Sequence, residues 1–437
     1  MDLRSAPSNP DIVIGEPLPI VKPDPQRLVA NLRAINEIGS DPAGGVTRLA
    51  FTPQERQSHD LAAEWLRDLG FEVRVDAVGN TIGRRQGSRT GTHAIALGSH
   101  LDTVPCGGGF DGTVGVVGAV EVVRMLDTAG LGLESPLMVV IFAGEEGARF
   151  GEPCIGSKAA AGMLTEQKLR RLQDDGGVTL ADAMASVGME PHRLQTARWD
   201  PATVAAFLEL HIEQARVLES GGQAVGLVDV ISGSTRLKLD ILGRAEHSGG
   251  TPMELRRDAM AAAAEIILGV EGLANDHRHR GTRATVGRLE VRPNNITTIP
   301  GRVNFAVDVR DVDTDRQRAA AREIVERAYW ICERRGVELR VEVMADTSPA
   351  VLPVWLRDLM GKSCSDLGVG FRTLASGAGH DAAIVSRLVP AGMLLIPCQD
   401  GLSHVPEEWA SVSDIVRGVE VLFHVVLKLD AFLARWG

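Results

Sequence analysis

The chain has 437 residues, a hydrophobic content of 44% and a formal net charge of −11 at pH 7. This length exceeds that of one ordinary domain, so two domains with separate cores are expected. The negative charge is not offset by any basic block, which argues against nucleic acid and anionic membrane as partners and leaves a small polar substrate open.

The cysteines and the N-terminal segment predict a cytoplasmic location. The cysteines are scattered and odd in number, which favours buried free thiols in a reducing compartment over a disulfide framework. They are Cys106, Cys154, Cys332, Cys364 and Cys398. No apolar run reaches the roughly 18 residues that a bilayer span needs. Asp2, Pro7 and Pro10 stand where a secretory signal requires an apolar segment.

The first part of the chain alternates between predicted strands and helices. Residues 1–25 contain six prolines and predict an extended arm. A helix is predicted at 54–69, since Thr52 and Pro53 are typical of a helix start and Gly70 of a helix end. Further strands are predicted at 71–75, 94–97, 137–142 and 204–210, with a helix at 113–129. This βαβ pattern indicates an α/β fold with a mostly parallel sheet.

The pattern changes between residues 224 and 343. There the predicted order is strand, strand, helix, strand, strand, helix and strand, which describes an α+β insert the size of a small domain, about 120 residues. The βα pattern then resumes with a helix at 352–367, a strand at 391–396 and a closing helix at 413–433. The sequence therefore predicts a split catalytic domain, 26–223 and 344–437, with an inserted lid or dimerisation domain at 224–343.

Polar clusters follow two of the buried apolar strands. His100 and Asp102 come directly after the strand at 94–97, and Glu145 and Glu146 follow the strand at 137–142. Ligands in open α/β sheets gather beyond the carboxyl ends of the strands, so these side chains should meet. Asp111, between a glycine run and a helix start, should join them. Nitrogen and oxygen donors without a nearby Cys suit Zn, Mn, Co or Ni.

Each of these residues also has a simpler explanation. Asp111 could be a helix cap, and paired acids such as Glu145 and Glu146 usually lie on a solvated face. Taken together, however, they suit a site where one Glu binds metal and its neighbour acts as general base. Asp102 then fits as a carboxylate that orients a metal-bound His100. His211, at a strand end, and His404, in the segment 401–406, complete the set, although a lone histidine is more often structural or on the surface.

These segments closely resemble a known family. The matching segments are 98–104, 109–112, 145–156, 209–213 and 403–407. They are similar to the amidase, hydantoinase and carbamoylase branch of the dinuclear-zinc aminoacylase and carboxypeptidase clan. That branch includes N-carbamoyl-L-amino-acid hydrolases, β-ureidopropionases and allantoate amidohydrolases. The resemblance extends from about residue 26 to the end, and it implies a zinc-exopeptidase-like catalytic domain.

The resemblance also implies roles for individual residues. It implies two divalent metal ions per subunit, Zn, Mn, Co or Ni, bridged by Asp111. The implied ligands are His100, Asp111 and His211 for one ion, and Asp111, Glu146 and His404 for the other. Glu145 becomes the base, and Asp102 orients His100. Gln214, His247 and Arg310 are implied to surround the substrate.

The side-chain chemistry of two of these residues supports the roles that the resemblance implies. Arg310 offers a planar fork that suits a substrate carboxylate, and His247 could polarise a carbonyl oxygen. One segment departs from the family, which typically has Asn-Val-Ile-Pro where this chain has Thr297 followed by Thr-Ile-Pro. Either a nearby asparagine such as Asn295 substitutes, or the preferred substrate differs.

The sequence thus predicts a metal-dependent amidohydrolase that cleaves a linear C–N bond of an N-carbamoyl, ureido or N-acyl amino acid. The nearest rival is an aminopeptidase, dipeptidase or aminoacylase of the same clan, and a more distant one is a non-catalytic binding protein. The insert should leave sheet edges that a second copy can pair, which predicts a homodimer. In similar dimeric enzymes the histidine at the position of His247 reaches the metal centre of the neighbouring subunit.

Overall fold

A computed structural model describes residues 21–436, so most of the predicted arm at 1–25 lies outside the described residues. The chain divides into two compact units. The discontinuous unit contains the described residues up to Asp229 and from Val351 onward, and the insert runs from Val230 to Ala350. None of the described helices combines the length and the apolar character needed to cross a membrane.

The discontinuous unit is built on a nine-stranded sheet. Its strands are β1 (Glu72–Val75), β2 (Thr81–Arg85), β3 (Ala94–His100), β4 (Leu137–Phe142), β5 (Val204–Ile212), β6 (Val225–Ile231), β13 (Ala350–Val351), β14 (Phe371–Ser376) and β15 (Ala391–Ile396). The order is β1-β2-β4-β3-β5-β15-β6-β13, with β14 beside β6. The four central strands β4, β3, β5 and β15 are mutually parallel. The predicted mostly parallel α/β sheet is therefore confirmed.

Helices cover this sheet and complete its core. They are α1 (Pro25–Glu37), α2 (Pro53–Asp68), α3 (Thr113–Thr128), α4 (Ile155–Ala160), α5 (Glu166–Arg171), α6 (Leu180–Ser186), α7 (Val217–Gly221), α10 (Val354–Asp366), α11 (Asp381–Val385) and α12 (Val412–Trp436). β3, β4, β5 and β15 are buried along their whole lengths, as continuous Val, Ile and Leu runs predict for strands covered on both faces.

Local sequence explains why α2 and α3 begin where they do. The Thr52 side chain accepts a hydrogen bond from the Glu55 amide, and Pro53 occupies the first turn of α2. α3 begins after Gly112, whose φ is +64°. A Cβ at this position would lie 2.5 Å from the His100 ring. Glycine is thus required both for the backbone conformation and for the close approach of His100.

The insert has a two-layer architecture. Its main sheet has the order β12-β7-β11-β9 and is wholly antiparallel. The strands are β7 (Gly233–Leu242), β9 (Arg283–Arg292), β11 (Arg302–Asp311) and β12 (Glu338–Thr347), with β8 (Glu246–His247) and β10 (Thr298–Ile299) forming a separate pair. Alternating burial along β7 and β11 gives the sheet one core face. Helices α8 (Ala259–Ala274) and α9 (Thr314–Arg334) pack on that face.

The insert begins and ends a few residues later than the sequence predicts. β6, predicted at 224 as part of the insert, pairs with β15 through Leu227 and Leu394 and so extends the large sheet. At the other end, β12 continues to Thr347, which pairs with Ser234 of β7. The compact insert therefore runs from Val230 to Ala350, a few residues after the predicted 224 and 343. The pairing of β6 with β15 and of β12 with β7 decides these boundaries.

Candidate metal centre

Five predicted metal ligands come from the carboxyl ends of the parallel strands. His100 ends β3, Glu146 follows β4, and His211 lies near the end of β5. Asp111 precedes α3, and His404 lies between β15 and α12. The four parallel strands all point the same way, so these ends share one edge of the sheet.

The ligand atoms form two groups that share one carboxylate. Asp111 Oδ1 lies 3.4 Å from His100 Nε2 and 3.0 Å from His211 Nε2. The other oxygen, Asp111 Oδ2, lies 3.5 Å from His404 Nε2, which is also 3.2 Å from Glu146 Oε2. In each group the three ligand atoms lie within 4.8 Å of one another. Asp111 therefore presents one oxygen to each group, as a bridging carboxylate would.

These separations suit small divalent cations. Ligand bonds of about 2.0–2.2 Å in a tetrahedral site separate neighbouring ligand atoms by roughly 3.4 Å. The three distances to Asp111 and the one between His404 and Glu146 range from 3.0 to 3.5 Å. The donors are imidazole nitrogens and carboxylate oxygens, the set preferred by Zn, Mn, Co and Ni over a thiolate-seeking metal. Both the donor chemistry and the spacing thus fit a metal centre.

The histidines are oriented through their other ring nitrogens. His211 Nδ1 is 2.9 Å from the Ile212 carbonyl oxygen, and His100 Nδ1 is 3.1 Å from the Asp102 carbonyl oxygen. Each contact turns Nε2 toward Asp111, as backbone carbonyls commonly do for metal-binding histidines. The expected partner of His100 was the Asp102 carboxylate, which is farther away at 3.5 Å. The backbone of Asp102 therefore makes the shorter contact.

The centre attracts positive charge. Burial alone would lower the pKa of His211, but the charge of Asp111 and the hydrogen bond to it raise that pKa to about 9. Hydrogen bonds to Asp111 and Glu146 raise the pKa of His404 to about 11. Burial opposes the effect at His100 as well, but hydrogen bonds to Asp102 and Asp111 raise its pKa well above the usual value. A cation that binds here would take the place of these protons.

The Asp102 carboxylate holds the backbone of the acidic pair. Its Oδ1 accepts from the Glu145 amide at 2.8 Å, and its Oδ2 accepts from the Glu146 amide at 3.0 Å. Just upstream, the Gly144 amide donates to Glu55 Oε1 at 2.9 Å. The backbone amides of three successive residues thus donate hydrogen bonds to two buried carboxylates. Sequence spacing predicts Asp102 as a helper, but not the Glu55 contact, because Glu55 lies on a distant helix.

The side chain of Glu145, the predicted base, lies beside the candidate metal ligands. Its side chain is buried, and Oε2 lies 3.8 Å from His100 Nε2, on the side of the metal ligands. Burial raises the pKa of Glu145 to about 7, and the charge of His100 opposes that rise. The neighbouring Glu146 belongs to the metal group instead. The predicted division of labour between the two acids is therefore consistent with their positions.

Gln214 lies at the same centre. Gln214 Nε2 donates to Asp111 Oδ2 at 2.5 Å and lies 3.4 Å from Ser403 Oγ. Its backbone has a φ of +57°, uncommon for a residue other than glycine. Contact between Gln214 and the substrate stays a prediction.

Glu408 was missed by the sequence reasoning. Its Oε1 accepts from the amides of Phe110 and Asp111, at 2.9 and 3.0 Å, and its Oε2 accepts from Ser403 Oγ at 2.7 Å. It thereby fixes the backbone that carries the shared carboxylate. The segment that carries the resemblance ends at Glu407, one residue before Glu408. An acidic pair after a proline is typical of an exposed loop. Only the position of Glu408 shortly after His404 indicated this role.

Three predicted substrate-site residues of the insert, His247, Asn295 and Thr297, lie around one strand pair. His247 pairs with Thr298 across β8 and β10, and the Ser248 amide donates to the Thr297 carbonyl at 2.9 Å. The amides of Gly249 and Gly250 both donate to His247 Nδ1 at 3.0 Å. In the neutral ring the proton therefore resides on Nε2, which is the donor that an oxyanion requires.

Asn295 and Arg310 have partners within the insert. Asn295 Oδ1 accepts from both the amide and the hydroxyl of Thr297 at 2.9 Å, which closes an Asx turn. Arg310, on β11, donates from Nε to Asp308 Oδ2 at 2.9 Å. The turn brings Asn295 and Thr297 into one exposed loop beside His247, so the asparagine that could replace the family residue lies in the expected neighbourhood.

Comparison with known proteins identifies the family. The pattern described as Peptidase family M20/M25/M40 matches residues 96–428. The chain belongs to this family. It is 43% identical over 405 residues to an N-carbamoyl-L-amino acid amidohydrolase of Geobacillus stearothermophilus, which covers 92% of this chain and 98% of that protein. It is 33% identical to an allantoate amidohydrolase of Escherichia coli, over 92% of this chain and 98% of that protein.

A solved structure agrees with the sequence relatives. An amidase of the hydantoinase/carbamoylase family from Burkholderia vietnamiensis superposes with a TM-score of 0.85 at 33% identity, over 96% of this chain and 99% of that one. The recognised branch and its fold are thus confirmed. The protein is a hydrolase acting on linear amide C–N bonds, in a metal-dependent family. A non-catalytic binding protein is not supported.

Proposed function

We propose that this M20-family protein hydrolyses the carbamoyl, ureido or acyl C–N bond of an N-substituted amino acid or a related small carboxylate. The main support is a buried glutamate, Glu145, next to two ligand groups that share Asp111. The relatives named as N-carbamoyl-L-amino acid and allantoate amidohydrolases support the substrate class.

Two divalent ions per subunit are proposed, with Zn, Mn, Co or Ni as the candidates. His100, Asp111 and His211 would hold one ion, and Asp111, Glu146 and His404 the other. When bound, such ions acidify water and neutralise negative charge on a carbonyl oxygen. A cytoplasmic location fits the five unpaired cysteines and remains a prediction.

Glu145 carries the proton transfers in this proposal. Its carboxylate takes a proton from the attacking water as the new C–O bond forms at the substrate carbon. The protonated carboxyl then gives that proton to the leaving nitrogen as the C–N bond breaks, so Glu145 ends in its starting form. Asp102 and Glu55 keep the backbone beside this side chain fixed during both steps.

Residues of the insert and Gln214 would bind the substrate. Arg310 would bind its carboxylate through the guanidinium fork. His247 would donate from Nε2 to the carbonyl oxygen as negative charge develops there, because the Gly249 and Gly250 amides occupy Nδ1. Asn295 and Thr297 would contact the polar group next to the scissile bond.

A homodimer through the insert is also proposed. β9 and β12 are the outer strands of its four-stranded sheet, so each has one strand neighbour within the described part of the insert. Pairing such an edge with a second copy closes a two-fold dimer. If His247 serves the partner's centre, mixing inactive Glu145→Gln and His247→Ala proteins should restore up to about half of the active sites after subunit exchange. Exchange without recovered activity would assign His247 to its own chain.

The substrate class and the metal are tested together on the purified protein. Elemental analysis should find up to two equivalents of a divalent transition metal per chain. A panel of N-carbamoyl, ureido, N-acyl and dipeptide substrates should then show turnover of one of the first three. Turnover confined to dipeptides would replace the proposal with a peptidase, and full activity in metal-free protein would remove the metal from the reaction.

A further inference from the structure

The thiol of Cys154 touches the proposed base. Cys154 Sγ lies 3.1 Å from Glu145 Oε1, within hydrogen-bonding distance for sulfur. The other carboxylate oxygen, Oε2, is the one that faces His100 Nε2, at 3.8 Å. The two oxygens of Glu145 therefore have different surroundings: one meets a thiol, and the other faces the metal ligands.

The backbone of the same segment also bonds to the backbone around Glu145. The amides of Cys154, Ile155 and Gly156 donate to the carbonyls of residues 145, 144 and 143, at 2.7, 2.9 and 2.8 Å. Together with Asp102 and Glu55, these contacts fix both the amides and the carbonyls around Glu145. The backbone beside the base is thus immobilised, and Cys154 is the residue whose side chain also reaches the carboxylate.

The backbone conformation at Cys154 does not favour a residue with a side chain. Its φ is +57° and its ψ is +43°, in the left-handed region that glycine or asparagine occupies most easily. Glycine would adopt this turn without the steric cost of a Cβ. A buried cysteine in this conformation therefore points to a use for the thiol itself.

The thiol keeps its proton at neutral pH. Burial and the nearby charges of Glu145 and Asp381 raise the pKa of Cys154 well above its usual value. A protonated thiol can donate a hydrogen bond, whereas a thiolate beside a carboxylate would repel it. The electrostatic surroundings therefore favour S–H as the donor and the Glu145 carboxylate as the acceptor.

We propose that Cys154 is a positioning residue for the reaction: it holds Oε1 of Glu145, so that Oε2 alone exchanges protons with water and the leaving nitrogen. Cys154 itself neither gains nor loses a proton and forms no covalent bond. This inference rests on the proposed function, in which Glu145 is the base.

Three substitutions at this position separate the hydrogen bond from backbone strain. Cys154→Ala and Cys154→Gly both remove the donor, and the glycine variant also relieves the left-handed strain. Both should lower kcat about tenfold, the scale of one hydrogen bond to a charged group, and leave KM nearly unchanged. Cys154→Ser keeps a donor in place and should restore kcat to within about threefold of the wild type.

A matched control comes from a buried cysteine in α10. Cys364→Ala removes a buried thiol of the same size outside the centre and should leave kcat unchanged. Wild-type kcat in the glycine or alanine variant, or a serine variant no better than alanine, would overturn the proposal. So would an effect confined to KM, because a positioning contact to the base acts on the proton-transfer step.

A double substitution and a spectroscopic reading distinguish this inference from the proposed function. If Cys154 acts through Glu145, adding Cys154→Ala to Glu145→Gln should cost no further kcat. If Glu145→Gln alone keeps wild-type kcat, the assignment of the base fails first. Independently of activity, the S–H stretching band lost in Cys154→Ser should shift in Glu145→Gln relative to the wild type. An unshifted band would mean that the thiol does not bond to that carboxylate.

Discussion

Three buried carboxylates of the discontinuous unit, Glu55, Glu145 and Asp381, differ in their electrostatic surroundings from two carboxylates of the insert, Glu323 and Asp311. In the discontinuous unit, burial raises the pKa of Glu55 to about 8 and that of Glu145 to about 7, and it raises the pKa of Asp381 well above normal. In the insert, a hydrogen bond from His279 lowers the pKa of Glu323, and the Arg316 guanidinium outweighs burial to lower that of Asp311. The ionised form is thus disfavoured at these three carboxylates and favoured at the two of the insert.

The difference lies in where the balancing positive charge comes from. Arg48 is the large buried cation near the acidic centre, but its guanidinium bonds to the carbonyls of Leu101, Ile35 and Ile38. Buried carboxylates without a cation are costly. In the insert, arginine side chains such as Arg316 neutralise the carboxylates. Near the acidic centre of the discontinuous unit, Arg48 bonds to carbonyls instead, so divalent cations from solution are suited to neutralise the carboxylates there.

Removing the metal should therefore affect the two units unequally. Chelation should reduce turnover to the background rate, with Mn, Co, Ni or Zn restoring it. Hydrogen exchange of the amides at 98–112 and 143–146 should accelerate, because the apo centre loses the stabilisation of bound ligand, about 2.7 kcal/mol at a hundredfold excess over Kd. The amides of β11 should exchange as before. Equal acceleration of exchange in both units would contradict a metal effect confined to the discontinuous unit.

Glu145→Gln should have the next largest effect. The amide keeps the size of the side chain but cannot shuttle a proton, so kcat should fall by about 10²- to 10⁴-fold. Elemental analysis should find the metal content of the wild type. As a contrast, Glu146→Gln should lose metal along with turnover, since Glu146 belongs to a ligand group. A Glu145 variant with near-normal kcat would mean that the base lies elsewhere.

Arg310→Lys tests the insert's contribution to catalysis. Lysine keeps the charge but loses the fork, so kcat/KM should fall about 10- to 100-fold on a carboxylate substrate and hardly change on its amide. Arg302→Lys is the control, because Arg302 lies on the same strand and bonds to Asp240. Equal losses on the carboxylate and the amide would remove the assigned role of Arg310.

The sequence predicted which polar side chains lie together at the sheet edge, because that information is local. Buried apolar runs at 94–97 and 137–142 predicted strands, and the polar residues after them had to share a sheet edge. The helix at 54–69 was likewise marked by its caps, and the helices predicted at 54–69 and 113–129 each lie within one residue of their predicted bounds at both ends.

Long-range contacts account for what the sequence did not reveal. Glu55, Glu408 and Cys154 act through hydrogen bonds to backbone or side chains of other segments, and no spacing rule links them to the motifs they support. β2 was missed because it contains a glycine, and β14 was missed because it is exposed along most of its length. The boundary at β6 depended on which strand would become its neighbour.

The last predicted difference between the two units is in the pH dependence of stability. Glu55 has a folded pKa of about 8, above its unfolded value, so the folded state binds more protons between about pH 4.5 and 8. Stability of the metal-free protein should therefore fall as pH rises through this window, by at most about 1.4 kcal/mol per pH unit for this group. Denaturant titrations of wild type and Glu55→Gln should show a flatter slope in the variant.

Asp311 should behave in the opposite way. Its folded pKa lies below the usual value, so its contribution to stability is present above about pH 4 and is lost as pH falls through the folded pKa. Asp311→Asn should thus leave the slope between pH 5 and 8 unchanged and reduce the loss of stability below pH 4. If both variants flattened the same pH window, the two units would not differ in how their carboxylates are balanced, and the case for external cations in the discontinuous unit would rest on the ligand geometry alone.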